Sequence, residues 1–305
     1  MRFLIFLVLI TLVSCQKTTE CISDGNNFEL YSDYFVFVAD DGGTPLVIPM
    51  DMNWNPLSTG YNKEFKSWHG TNQNWPINYI KEDVAAETCE VPQETWQHTS
   101  GQDFEFDASA RTITTRIFGA PVLELSIPDS TEWIEAPSGS AFRKTYGFKT
   151  TAKVDNVTRS GWLVYERIRR DASLGNFGDF EAFFWMPIVV NGVFYHFEQH
   201  KGEQAAYRWT DNGSTISMDT LHSFAFSVNS TTADSTSGRT NIPQTMHLVA
   251  SSWGIDLSLE STGFQAGYGP SFPNGLGYYR QSMLQSTSNS VSTGYGMLEL
   301  ILEDD

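Results

Sequence analysis

Alternating apolar and polar residues recur along most of the chain from Asp33 onward, in short runs bounded by Gly, Pro, Asn or Asp. Period-two runs separated by turn residues are typical of antiparallel β-strands. No segment has a convincing 3.6-residue period, so no helix is expected. The pattern predicts an all-β protein with roughly eight strands on either side of residue 172, arranged as two similar barrels or sandwiches in tandem.

The strongest hairpin signal lies between Gly178 and His200. Two apolar runs are joined there by Asn191-Gly192, and a type I′ turn needs positive φ at both of its central residues. If those residues form the turn, the strand register is fixed. One hairpin face is then almost wholly apolar and is predicted to lie in the core. The other face carries Phe183, Trp185, Pro187, Val189, Phe194, His196, Glu198 and His200.

This second face is predicted to form the wall of a binding site, because a solvated face seldom also carries Trp and Phe. The alternative is that His196, Glu198 and His200 point into solvent, as in a half-exposed hairpin. Within a strand His196 and His200 lie roughly 13 Å apart, so a metal ion is not expected to join them. The three cysteines form no C-x-x-C motif, so no structural metal site is predicted either.

A strand predicted over 161–169 places a carboxyl group on an apolar face. Alternation puts four residues on the same side: Trp162, Val164, Glu166 and Ile168. Burial among these side chains disfavours the ionised form of Glu166 and raises its pKa, as a general acid near neutral pH requires. The alternative is an ion pair between Glu166 and an arginine of a neighbouring strand, with a structural role.

The amino terminus has the features of an export signal. Residues 1–14 hold one basic residue and an apolar run too short to span a bilayer, followed by small residues. Leu12-Val13-Ser14-Cys15 resembles the lipobox of bacterial lipoproteins, which predicts a lipid on Cys15 and an exported, membrane-anchored protein. The alternative is ordinary cleavage, with Cys15 left as a free or paired thiol. Residues 15–32 are predicted to be a tether.

Two cysteines remain if Cys15 is lipidated. Cys21 and Cys89 would then form an even pair in an oxidising compartment, and a disulfide between them is plausible. The formal charge of −17 argues against nucleic acid and anionic lipid surfaces as partners. The sequence has no dinucleotide, P-loop or nucleophile-elbow motif, so no cofactor is predicted. We expect a first β-domain over 33–172 and a second over 173–305.

Three motifs occur in a fixed order between about residue 140 and the end. They are Gly161-x-x-Val164-x-Glu166-Arg167 with the Phe184-Trp185 hairpin after it, Trp253-Gly254-Ile255-Asp256-Leu257-Ser258-Leu259, and Gly294-Tyr295-Gly296-Met297-Leu298-Glu299-Leu300. Together they resemble the lipocalin-like family of AttH proteins and carotenoid 1,2-hydratases. The resemblance implies two lipocalin-like β-barrel domains and a catalytic role for Glu166. Val164 stands where the family usually has Trp.

Two functions follow as expectations. The first is binding of a hydrophobic small molecule by Trp162, Phe183, Trp185, His196, Glu198 and His200, with hydration, isomerisation or cyclisation driven by Glu166. The second is a surface lipoprotein that binds or cleaves glycans through carboxylates and exposed tryptophans, because Trp68, Trp75 and Trp96 lie in a loop-rich segment. The alternative is that those tryptophans cap a barrel mouth.

Overall fold

The described part of the chain is almost entirely β-structure. The computed structural model describes residues 23–24, 27–57, 60–68, 77–85, 95–97, 104–107, 112–115, 123–126, 133–138, 141–154, 156–171, 183–200, 203–212, 216–233, 240–266 and 278–302. The one helical element among them is a single 3₁₀ turn, Ser251–Trp253. No helix within these ranges is long and apolar enough to cross a membrane. The prediction of an all-β fold is therefore confirmed.

The first half of the chain forms a 12-stranded antiparallel sheet. Its strands are β1 (Ser23–Asp24), β2 (Asn27–Ala39), β3 (Val47–Leu57), β4 (Gly60–Trp68), β5 (Ile77–Ala85), β6 (Thr95–Gln97), β7 (Phe104–Asp107), β8 (Thr112–Thr115), β9 (Leu123–Ser126), β10 (Trp133–Ser138), β11 (Ala141–Val154) and β12 (Val157–Asp171). The main strand order is β5-β4-β3-β2-β12-β11-β9-β8-β7-β6, with β1 beside β2 and β10 beside β11.

The second half forms a nine-stranded antiparallel sheet. Its strands are β13 (Phe183–Val190), β14 (Val193–His200), β15 (Glu203–Asp211), β16 (Ile216–Leu221), β17 (Ala225–Thr232), β18 (Ile242–Ala250), β19 (Ile255–Ala266), β20 (Tyr278–Ser286) and β21 (Gly294–Leu302). The order is β16-β15-β14-β13-β21-β20-β19-β18-β17. Both sheets curl into half-barrels, as expected for two lipocalin-like units.

The two sheets share one topology. In each, the first long strand pairs with the last, β2 with β12 and β13 with β21, and the remaining strands extend outward on both sides of that pair. A glycine of the last strand lies against the first strand in both sheets. A Cβ at Gly161 would come within 2.3 Å of the Val38 carbonyl oxygen, and one at Gly296 within 2.2 Å of the Pro187 carbonyl oxygen. The close approach of these strands therefore requires glycine at both positions.

The central hairpin has the predicted register. β13 and β14 pair Val190 with Val193, and the pairing continues in step to Phe184 and Gln199. Asn191 and Gly192 have φ values of 50° and 79°, as a type I′ turn requires. The apolar face of the hairpin lies in the core of the second sheet, whose residues include Phe184, Met186, Ile188, Val190, Tyr195 and Phe197.

The structure differs from the sequence expectation in two segments. The segment with Trp68, Trp75 and Trp96, residues 53–102, was expected to be rich in loops, yet β3, β4 and β5 extend through much of it. Backbone pairing with adjacent strands sustains them despite their polar composition. The last residues of the predicted tether, 27–32, also belong to the sheet. β2 begins at Asn27, and Ser32 pairs with Ile168 of β12.

Candidate functional site between the two sheets

The two sheets face each other across a shared hydrophobic core. It contains Tyr34, Val36, Val38, Val47, Trp162 and Val164 from the first sheet, and Trp185, Val189, Phe194, Tyr207, Trp209, Met283 and Met297 from the second. Trp162 stacks on Phe194 with ring centroids 5.4 Å apart and planes 12° apart. The second face of the central hairpin is thus buried against the first sheet.

Glu166 lies on the first-sheet side of this core. It occupies β12, between Thr145 of β11 and Tyr34 of β2 in the strand register. Glu166 is only 4% exposed, and Thr145 Oγ1 donates a hydrogen bond to its Oε1 at 3.3 Å. Trp162 and Val164 are buried on the same face, as the alternation predicted.

Three polar side chains of the second sheet lie in the same core. His196 is fully buried and Glu198 is 7% exposed, both on β14. The His196 Nε2 and Glu198 Oε2 atoms are 3.5 Å apart, and the Tyr207 hydroxyl of β15 donates to Glu198 Oε1 at 3.4 Å. The alternative in which His196 and Glu198 point into solvent is therefore wrong. These side chains form a buried imidazole–carboxyl–phenol group.

Trp185 connects the two sets of polar residues. Its ring centroid lies 5.0 Å from that of His196, with the planes at 67°, and 5.4 Å from that of Tyr34. The Tyr34 hydroxyl also contacts Met297 Sδ at 3.4 Å across the core. Tyr34 pairs with Glu166 in the strand register, so Trp185 lies between His196 and the cross-strand neighbour of Glu166. We call Tyr34, Thr145, Glu166, Trp185, His196, Glu198 and Tyr207 the inter-sheet cluster.

The inter-sheet cluster has the groups needed for proton transfer. A buried carboxyl group can donate a proton, and an imidazole beside a second carboxyl group can accept one. The aromatic rings around them form an apolar surface that can stabilise positive charge on a bound molecule. Among the residues that the structure describes, no three His, Cys, Asp or Glu side chains are arranged to hold a metal ion.

Polar contacts lie at the end of the interface near the turn between β2 and β3. Arg159 donates to both carboxylate oxygens of Asp41, at 2.5 and 2.8 Å, and thereby lowers the pKa of Asp41 to about 2. Tyr295 of β21 donates its hydroxyl to the Ala39 carbonyl oxygen of β2. Burial, with the nearby charges of Asp40 and Asp41, raises the pKa of Tyr295 to about 12. This end of the interface is thus tied by polar contacts.

The structure brings together five of the residues predicted from the sequence: Trp162, Glu166, Trp185, His196 and Glu198. Phe183 and His200 lie at the outer ends of β13 and β14, and their side chains are outside the described residues. Cys15, Cys21 and Cys89 also lie outside the described residues, so the lipidation and disulfide expectations stay predictions.

Tyr34, Thr145 and Tyr207 were not predicted as site residues. Each lies on a strand that the sequence pattern indicates, and Tyr34 and Tyr207 alternate with Val36 and Trp209. What the sequence does not show is that β2 pairs with β12, more than a hundred residues later, and that the two sheets meet face to face. The alternation of Tyr34 and Tyr207 with apolar residues was the one signal in the sequence that these tyrosines face the core.

Comparison with solved structures gives the same fold. A candidate AttH protein from Nitrosomonas europaea matches with a TM-score of 0.57 and 10% identity, over 90% of this chain and 92% of that one. Kievitone hydratase from Nectria haematococca matches with a TM-score of 0.50 and 10% identity, over 90% and 88%. No protein-family model and no curated protein sequence matches the chain. The resemblance to the lipocalin-like AttH proteins is therefore confirmed at the level of the fold.

Proposed function

We propose that the chain binds a hydrophobic small molecule between its two sheets and transforms it by proton transfer. The observation that carries the proposal is the burial of Glu166 on one sheet and of the His196–Glu198–Tyr207 group on the other, in one aromatic core. Buried ionisable groups are costly unless they are paired or functional. The apolar interface holds two carboxyl groups and an imidazole. This combination suits acid–base chemistry on an apolar substrate.

The chemistry is hydration, isomerisation or cyclisation of an unsaturated compound. Glu166 acts as the general acid and gives its proton to one carbon of a double bond. In a hydration, water adds its oxygen to the other carbon and releases a proton to the His196–Glu198 pair. In an isomerisation, the same pair takes the proton from the adjacent carbon. The Trp162 and Trp185 rings stabilise the positive charge that develops between these events.

The structural relatives support this class of reaction. One of the two is named as a hydratase, and it shares the fold over 90% of this chain. Because the identity is 10%, its own substrate is not transferred to this protein. Kievitone hydratase supports only a fold suited to hydratase or lyase chemistry. The support for proton transfer in this chain comes from the residues of the inter-sheet cluster.

The proposed location is the periplasmic or cell-surface side of a membrane, with a lipid on Cys15 as the anchor. This follows from the lipobox-like sequence at residues 12–15 and from the export signal before it. Cys15→Ser should release the protein from the membrane fraction or block its processing. A variant that is fully processed and still membrane-bound would contradict the lipoprotein assignment.

Glycan binding is not favoured by the side chains that the structure describes. Of the four tryptophans with described side chains, Trp162, Trp185 and Trp209 are at most 3% exposed, and Trp253 is partly buried. A stacking platform for sugars needs an exposed ring face. The side chains of the predicted platform residues Trp68, Trp75 and Trp96 lie outside the described residues.

Native mass spectrometry of the purified protein tests the proposal. We expect mass in excess of the polypeptide that solvent extraction removes, and less of it in Glu198→Gln than in the control Glu203→Gln, whose glutamate is exposed on the neighbouring strand. Incubation in D₂O should introduce deuterium into the extracted molecule in the wild type, and roughly a hundredfold more slowly in Glu166→Gln. A protein that carries no extractable molecule and binds no apolar compound contradicts the proposal.

A further inference from the structure

Trp185 carries a buried hydrogen-bond donor that the described part of the protein does not use. The residue is 1% exposed, and no atom of the described residues accepts a hydrogen bond from its indole Nε1. A buried tryptophan normally finds an acceptor for this group. Trp209, also 1% exposed, shares the feature.

The surroundings of the two indoles differ. A Cβ at Gly147 would lie 2.5 Å from the Trp209 ring, so this ring presses directly on the backbone of the first sheet. Protein atoms thus fill the space on that side of Trp209. Trp185 instead contacts His196 and Tyr34, both members of the inter-sheet cluster. The unused donor of Trp185 is therefore part of the proposed site.

We infer that Trp185 donates a hydrogen bond to an oxygen atom of the ligand. The inference rests on the proposed function and narrows it: the substrate class is a hydrophobic molecule that bears a carbonyl or similar acceptor oxygen, and is not a pure hydrocarbon. Sites built to hydrogen-bond a polar group of the substrate reject analogues that lack it, because the buried donor is then left without an acceptor. Trp185 is on this account a specificity-determining residue.

The assignment also suggests the type of hydration. In an α,β-unsaturated ketone, water adds its oxygen to the β-carbon before any carbon is protonated. The C=C electron pair moves toward the carbonyl carbon and the C=O π pair moves to the oxygen, so negative charge develops on that oxygen, in place of the positive charge that develops when an isolated double bond is protonated first. The Trp185 N–H stabilises the resulting enolate oxygen. The proton released by the water goes to the His196–Glu198 pair, and Glu166 delivers a proton to the α-carbon, which restores the carbonyl group.

The test compares 9-fluorenone with fluorene, two rigid compounds that differ in a carbonyl group against a methylene group. Dissociation constants are measured for the wild type, Trp185→Phe and the matched control Trp209→Phe, with the carbonyl stretching frequency of the bound fluorenone as a second readout. We expect the wild type and Trp209→Phe to bind fluorenone roughly tenfold more tightly than fluorene, and Trp185→Phe to lose that preference. The carbonyl frequency should be lowered in the first two proteins only.

The results separate this inference from the function it rests on. If all three proteins bind both compounds with equal affinity, the apolar site exists and the role of Trp185 is wrong. The same holds if Trp185→Phe keeps both the preference and the lowered carbonyl frequency, because the donor is then elsewhere. If no protein binds either compound, the proposed function fails and the inference fails with it.

Discussion

Trp162 of the first sheet stacks on Phe194 of the second, with their ring centroids 5.4 Å apart and their planes 12° apart. Both side chains are at most 3% exposed. They belong to different sheets, so their contact forms only when both sheets are folded and docked. The pair therefore reports directly on the interface in which the proposed site lies.

A double-mutant cycle on this pair tests the docking of the sheets. Trp162→Leu and Phe194→Leu should each lower the free energy of unfolding, and their effects should be coupled by about 1 kcal/mol, the usual value for an aromatic pair. The control is Phe197, buried on the opposite face of the same strand. Trp162→Leu and Phe197→Leu should combine additively in urea unfolding. Additive effects for Trp162 and Phe194 would mean that the sheets do not dock through this contact.

Gly192→Val tests the turn that sets the register of the central hairpin. Gly192 has a φ of 79°, and a Cβ there meets no atom within 4 Å, so only backbone strain opposes the substitution. We expect a loss of stability on the order of 1–3 kcal/mol, because β-branched residues resist positive φ. Gly192→Asn, which tolerates this conformation, should lose less. Equal melting temperatures for the wild type and Gly192→Val would be evidence against the turn.

The hairpin was predictable because its information is local. Asn191-Gly192 specifies the turn type, and the turn type specifies every cross-strand pair from Val190–Val193 to Phe184–Gln199. The pairing of β2 with β12 has no comparable signal. It is set by the way two distant apolar strands close the sheet, and single-strand periodicity carries no information about that partner choice.

The candidate site was predictable in part for the same reason. Alternation places Glu166 with Trp162, and Trp185 with His196 and Glu198, because each set lies on one strand or one hairpin. That the two sets face each other depends on the packing of the sheets. Tyr34 joins the site only through the nonlocal pairing of β2 with β12, whereas Thr145 faces Glu166 across the consecutive strands β11 and β12. Residues that complete a site from distant strands are beyond the reach of periodicity.

Asp41→Asn tests the ion pair at the end of the interface. Arg159 lowers the pKa of Asp41 from 3.8 to about 2 in the folded protein. The ion pair therefore adds stability above the unfolded pKa, and that contribution is lost as the pH falls from about 4 toward 2. At pH 7 the variant should be less stable by about 1 kcal/mol, a value reduced by solvent screening.

Thermal unfolding of the wild type and Asp41→Asn between pH 7 and pH 2 measures this difference. The melting curves should converge as the pH approaches 2, since Asp41 of the wild type is then protonated in the unfolded state and about half protonated in the folded state. Asp219→Asn is the control, because Asp219 pairs with Arg208 at 2.5 Å but is more exposed. A stability difference for Asp41→Asn that does not change with pH would rule out the ion pair as its cause.

The central claim concerns Glu166, because a proton donor must hold its proton in the folded state at neutral pH. If the carboxyl group is neutral, Glu166→Gln keeps its shape, and its amide oxygen can still accept the hydrogen bond from Thr145. The wild type then loses stability as the pH rises above the unfolded value near 4.3, since only its unfolded state ionises freely. Glu166→Gln cannot ionise, so its stability does not fall with pH in this way.

The decisive measurement is the free energy of unfolding of Glu166→Gln relative to the wild type from pH 4 to pH 8, with Glu124→Gln, at an exposed position of the same sheet, as the control. The account predicts that Glu166→Gln equals the wild type near pH 4 and exceeds it increasingly toward pH 8. It is contradicted if Glu166→Gln loses about 3 kcal/mol at pH 7, the cost of leaving a buried cation without its partner. That result would make Glu166 a structural carboxylate.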